Sequence, residues 1–275
     1  MSAVVQQVNG INDWLQVVRS TSVTSFKRMT AYLINVIRIP MFPAGMFITS
    51  YVAWDVAGVN TIDGVNVSGF LLAGIIGLIC WSSSVWWSGS AIENERYEGT
   101  IAALFLTPAS RVAVVIGHGL GGLLYMIPSF AIVAMLGLLT GARFNVASVA
   151  AVAASGLALI GASLAMGFLL ASFFILTRRA NLMANIIQHP LYLIGGFMVP
   201  RDQLPSVLYW CSEAMPIAHA VDAFRASMLS SASLADVGNS LLATLLTSGA
   251  FVLIGILGIR RVEHVAKRSG QLDLF

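Results

Sequence analysis

The sequence predicts an all-α integral membrane fold: six transmembrane helices, an N-terminal amphipathic interfacial helix, and two short extracellular re-entrant helices between spans five and six. Three observations predict it. Hydrophobic residues make up 57% of the 275 and charged residues 10%, with a mean hydropathy of +0.85, whereas a soluble domain has roughly 45–50% apolar and about 25% charged residues. Uncharged apolar runs recur that are long enough for the roughly 20 residues a helical crossing needs. Basic residues collect between alternate runs. That length leaves no room for a separate soluble domain, so residues 1–275 read as one transmembrane domain.

Residues 1–30 lack the charged start, apolar stretch and small-residue cleavage site of a secretory leader, so they are expected to stay on the protein. Within residues 10–29, Trp14, Leu15, Val18, Phe26 and Met29 fall in an arc of about 120°, opposite Asp13, Gln16, Ser20 and Lys27. This predicts an amphipathic helix along the inner interface. Residues 31–54 supply the first span, interrupted by Arg38. A charge at the bilayer centre costs about 2.5–3.5 kcal/mol. Arg38 lies about 10 Å along the helix from Ala31, at 1.5 Å per residue, so it is expected to snorkel toward the inner headgroups. The other role open to it is an anion contact in a translocation path.

Residues 64–92, 112–139, 144–177, 180–200 and 237–259 contain no Asp, Glu, Lys or Arg and supply spans two to six. Trp86 and Trp87 fit an interfacial aromatic belt; Trp81 lies deeper, facing a helix or a cavity. Pro128 and Pro190 predict kinks. Gly156, Ala158, Gly161, Ala162 and Gly167 predict close helix packing in span four. His118 and His189 read first as core or interface histidines, with His189 also a candidate, like Trp81, for the path. Residues 200–236 are cut by Pro200, Pro205 and Pro216 into pieces too short to cross. There Ile217, Ala220, Val221, Phe224 and Met228 recur at helical spacing opposite His219, Asp222 and Arg225. The region predicts an extracellular cap of two short helices, with Asp222 and Arg225 able to pair locally.

Six spans place both termini on one side. The segments on that side hold Arg19, Lys27, Arg28, Arg96, Arg111, Arg178, Arg179, Arg260, Arg261, Lys267 and Arg268, eleven of the 15 basic residues. The opposite segments hold Arg143, Arg201 and Arg225. The positive-inside rule therefore puts both ends, and residues 91–111, in the cytoplasm. Cys80 falls in an apolar run and Cys211 in a loop, so no disulfide is expected.

No G-x-x-x-x-G-K-[ST] loop, no H-E-x-x-H and no Cys/His cluster occurs. The sequence thus assigns no catalytic residue, metal, bound cofactor or nucleic-acid partner. Ser163, with His189 as base, is the enzymatic alternative, an intramembrane hydrolase; small-residue packing accounts for the same motif. The unusual stretch is AIENERYEGTIAALFLTPASR, residues 91–111, which gathers three glutamates and two arginines between apolar runs. Glutamates near a helix start are favoured by the dipole, and Gly99 permits a break or a close backbone approach. Ile101, Leu104, Phe105 and Leu106 beside the acids suit a partner's cleft better than a solvated loop.

Residues 93–111 resemble the segment after the second span in membrane subunits of type-2 (ABC-2 class) ABC exporters: acidic-x-acidic, Glu-Gly-Thr, an apolar turn, then Thr-Pro-x-Ser-Arg. The matching positions are Glu93, Glu95, Glu98, Gly99, Thr100, Thr107, Pro108, Ser110 and Arg111. Residues 190–229 resemble that class's fifth span, Pro-bounded outer loop, Met-Pro turn and Asp-x-x-Arg helix. The resemblance implies a permease subunit of the bacterial cytoplasmic (inner) membrane. It would pair with a second permease, identical or paralogous, and dock two cytoplasmic ABC ATPase subunits that hold ATP and Mg. Coupling would fall to residues 91–108, with Glu93, Glu95, Arg96, Glu98, Gly99 and Thr100. The implied cargo is an amphipathic small molecule, drug or lipid-linked compound, or alternatively a lipid-linked polysaccharide.

Overall fold

The computed structural model describes residues 11–91, 93, 99, 110–174 and 180–269. Helix α1 (Ile11–Thr30) turns Val18, Ser22, Ser25 and Met29 inward, while Leu15 of the expected apolar arc stays exposed. Helices α2 (Leu33–Arg38) and α3 (Met41–Val56) follow. The first span, expected as one helix over 31–54, is thus broken. Pro40 has no N–H to donate and its ring crowds the preceding turn.

A second correction to the all-α expectation is a two-residue hairpin, β1 (Thr61–Ile62) antiparallel to β2 (Val65–Asn66). Its turn, Asp63-Gly64, has φ of 51° and 77°, the geometry of a type I′ connection. Asn66 then caps α4 (Val67–Ser83), its Oδ1 accepting from Gly69 N–H at 3.3 Å. Helix α4 runs on into a π-turn, Ser84–Gly89.

Ser110 caps α5 (Arg111–Tyr125), and α6 (Ile127–Leu139) follows at a bend of 41°. Pro128 in the first turn of α6 accounts for the bend. Next come α7 (Val149–Phe174) and α8 (Ala180–Ile194), the latter with Pro190 inside it. A fifth span over 180–200 is cut short, because the chain turns at Gly195 and Gly196, whose φ is +68°. A 3₁₀ turn (Arg201–Gln203) leads into α9 (Ser206–Glu213) and α10 (Pro216–Leu229). Cys211, expected in a loop, lies exposed on α9. Helix α11 (Gly238–Ser269) ends the described chain.

Among the described residues, four helical units are long and apolar enough to cross a membrane: Leu33–Val56, Val67–Gly89, Val149–Phe174 and Gly238–Arg261; the bent α5–α6 pair makes a fifth. The central unit is Val67–Gly89, whose most apolar window is 94% buried, against 17% for the first and last. Helices α3, α6, α7 and α10 surround α4. The main core, with Phe70, Leu71, Ile75, Leu78, Trp81 and Phe197, forms along it.

Candidate functional site

At the hairpin end of α4, two glycines bring a loop onto the helix. A Cβ on Gly74 would lie 1.7 Å from the Phe197 carbonyl oxygen, and one on Gly77 would meet Val221 and the Phe197 ring. The chain after α8 therefore crosses α4 in backbone contact, and the Gly196 carbonyl accepts from Arg225 Nη2 at 2.9 Å. The Arg225 guanidinium sits over the Phe70 ring, 3.7 Å from its centroid, a cation–π contact. Burial pushes its pKa down to about 10, opposed by Asp222 and then Asp63; it stays charged at neutral pH.

Arg201 binds the α9–α10 corner from the other side. It donates to Asp222 Oδ2 at 2.5 Å and to Glu213 Oε1. His219 donates from Nε2 to the Glu213 carbonyl at 2.8 Å, which leaves Nδ1 to accept from Arg201 Nη1 at 3.5 Å. The network contains the expected local pair and extends it. Asp222 does approach Arg225, at 3.6 Å, but binds Arg201 more closely. Helix α10 is also buried on its polar side, at Arg225 and His219. Arg201 and Glu213 were missed because they lie 21 and 9 residues from Asp222, beyond any helical period. Beside the network, Asp63 has its carboxyl raised above the usual value by partial burial, then by the neighbouring Asp202 charge.

Deeper along α4 is a seam of neutral polar groups. Ser163 donates to the Cys80 carbonyl at 2.6 Å and shares a 2.5 Å contact with Ser84 Oγ. Trp81 Nε1, the Ser83 hydroxyl and Gln188 Oε1 are buried without a hydrogen-bond partner, and the buried Tyr192 hydroxyl lies beside that of Ser82. His189 is exposed on α8, its Nδ1 2.8 Å from the Asn185 carbonyl oxygen. The structure does not bring Ser163 and His189 together: Ser163 is buried and bonded to α4, whereas His189 is exposed on α8. Trp81 is 1% exposed. Trp86 and Trp87 both pack half-buried against the core, Trp87 edge-on to Tyr125 at 5.5 Å. Arg38 ends α2 exposed, one residue before the turn at Pro40.

At the opposite end of α4, the π-turn packs on α5 and α7. Cβ atoms on Gly119 and Gly167 would lie 3.2 and 2.5 Å from Ser88 Cβ, and one on Gly122 2.5 Å from Trp87. Of the expected small-residue contacts on α7, Gly167 and Ala162 are realised, whereas Gly161 faces open space. On another face of α5, a Gly117 Cβ would lie 2.9 Å from the Val18 carbonyl and a Gly121 Cβ 2.7 Å from that of Ser22. Helix α1 is thus in backbone contact with α5, a pairing that Gly117-x-x-x-Gly121 signals in the sequence. Glu93 is buried, and Gly99 has φ +72° in open surroundings. Glu95, Arg96, Glu98 and Thr100 lie outside the described residues. Among the described residues, no group of His, Cys, Asp and Glu is placed to hold a metal.

A family model described as ABC-2 type transporter matches residues 14–229. The chain is also 26% identical over 163 residues to ABC transporter G family member 20 of Dictyostelium discoideum. That match covers 58% of this chain and 22% of the relative, so the chain spans well under two thirds of that protein's length.

Proposed function

We propose, from the premise that this chain belongs to the ABC-2 type transporter family, that it is the membrane permease of an ATP-driven exporter. The observation that carries this is the extent of the match, residues 14–229, which runs from α1 to the end of α10. In this reading α8 completes six spans, both ends are cytoplasmic, and the α9–α10 network caps the outer end of the path. Residues 91–108 dock a separate ABC ATPase that holds ATP and Mg. A second permease, identical or paralogous, meets this one across α8. Support for that comes from His189, exposed on a helix in an apolar chain, where an uncovered polar side chain is costly. The neutral polar seam along α4 favours an uncharged amphipathic cargo over a charged one.

The test reverses the acids at Glu95 and Glu98. Glu95→Lys/Glu98→Lys leaves the apolar spans intact, so insertion should be unchanged. Losing buried interface charge pairs costs about 2–5 kcal/mol, which lowers assembly by tens- to thousands-fold at roughly 1.4 kcal/mol per decade. Copurification with the ATPase and substrate-stimulated ATP hydrolysis should both fall. Wild-type values for both, with transport intact, would falsify the docking role.

A further inference from the structure

A cleft of about 240 Å³ lies between α1 and α5, with Ser20, Thr21, Thr24, Ser25, Arg28 and His118 around it. Its chemistry is one-sided. The Thr21 and Thr24 hydroxyls and a guanidinium face it, Ser20 Oγ already donates to the Val17 carbonyl at 3.0 Å, and no carboxylate lines it among the described residues. Ser20, Thr24 and Arg28 recur at i, i+4 and i+8, so they stand in one line along α1. Ser25 and His118 fix the floor, with Ser25 Oγ 2.9 Å from His118 Nδ1 and both buried. Arg28 and His118 each have further interactions, and a guanidinium has five N–H donors with which to serve more than one partner. The volume is below the roughly 300–1,000 Å³ of pockets that enclose a drug-sized ligand, so it suits a small anionic group.

We propose that this cleft binds the phosphate of an anionic phospholipid headgroup from the leaflet against which α1 lies. Two features favour a lipid over a soluble anion. Helix α1 leaves Ile11, Leu15 and Val23 exposed, as a helix seated in the interface does. It also has Arg19, Lys27 and Arg28 against the single acid Asp13, the balance that draws anionic headgroups.

The protein is reconstituted in nanodiscs of mixed phosphatidylglycerol and phosphatidylcholine, returned to detergent, and its retained lipids counted by native mass spectrometry. Wild type should retain phosphatidylglycerol preferentially, and Arg28→Gln should lower that preference about fivefold, the worth of one basic side chain at an anionic surface. Thr21→Val/Thr24→Val should lower it with the charge unchanged. Lys27→Gln removes the same charge outside the cleft and should lower the preference clearly less than Arg28→Gln does. Equal losses in Lys27→Gln and Arg28→Gln would reduce the effect to general electrostatics and overturn the site. Displacement of the lipid by inorganic phosphate would overturn the headgroup as its source. Unchanged lipid retention in Arg28→Gln, with loss of a copurifying ATPase, would assign the cleft to a protein contact and overturn the proposal as well.

Discussion

Gly74→Ala adds one methyl group where the structure has no space. The new Cβ would lie 1.7 Å from the Phe197 carbonyl oxygen, 2.7 Å from its carbonyl carbon and 2.9 Å from Arg225 Nη2. The obstacle is backbone, so no side-chain rotation relieves it. The loop must leave α4, which draws the Gly196 carbonyl away from Arg225 and unseats Phe197, a side chain with 0% exposure. Overpacking costs about 1–3 kcal/mol, and a hydrogen bond to a charged group is worth about 1.5–3 kcal/mol. Alanine returns about 1 kcal/mol of helix propensity. The net loss is then about 2–5 kcal/mol. The matched control is Gly161→Ala, where nothing lies within 4 Å of the new Cβ; propensity alone should leave it neutral or slightly more stable. Both variants are solubilised, heated in steps and followed by size-exclusion chromatography. Gly74→Ala should lose its folded peak at clearly lower temperature than wild type, and Gly161→Ala should not. Equal melting of the two variants would refute the backbone crossing of α4.

Two further outcomes follow from the cap. Asp222→Ala takes a carboxylate from Arg201, which keeps Glu213, and from Arg225, which keeps the Gly196 carbonyl; each arginine is about 9% exposed. Because the lost carboxylate is 37% exposed, the cost should be about 1–3 kcal/mol, below that of a fully buried pair; melting unchanged from wild type would show that Arg201 does not depend on it. Asp63 has a folded pKa above the ordinary 3.8, so its charged form disfavours the fold, and stability from this group falls as pH rises through that window. Asp63→Asn keeps the turn, since Asn tolerates positive φ. It should raise the melting temperature at neutral pH, with the gain vanishing below pH 3.8; a gain that persists in acid would assign the effect to the turn.

Run length made α4, α7 and α11 legible, because an uncharged apolar stretch has little else to become in a membrane. The α5–α6 bend and the start of α10 were legible from Pro128 and Pro216. The break at Pro40 carries the same signal, a proline inside an apolar run. The hairpin was missed although Asp63-Gly64 is a turn signal, since a two-residue strand leaves no periodicity. The cap network was illegible for another reason. Arg201, Glu213 and Asp222 come together only because the Gly195–Val199 loop lies on Gly74 and Gly77, and that contact leaves no local pattern. The α1–α5 contact was half legible: Gly117 and Gly121 announce a close neighbour without naming it.

That last contact has a mechanical consequence. Most helix pairs touch through long side chains, which can swing between rotamers and absorb a displacement. At Gly117 and Gly121 the nearest atoms of α1 are the Val18 and Ser22 carbonyl oxygens and the Cβ atoms of Thr21 and Ser25, which no change of rotamer displaces. A push on α1 therefore arrives at α5 almost undiminished, and the two helices behave as one stiff strut. Strain delivered to that strut gathers at its nearest compliant point, the 41° bend between Tyr125 and Ile127.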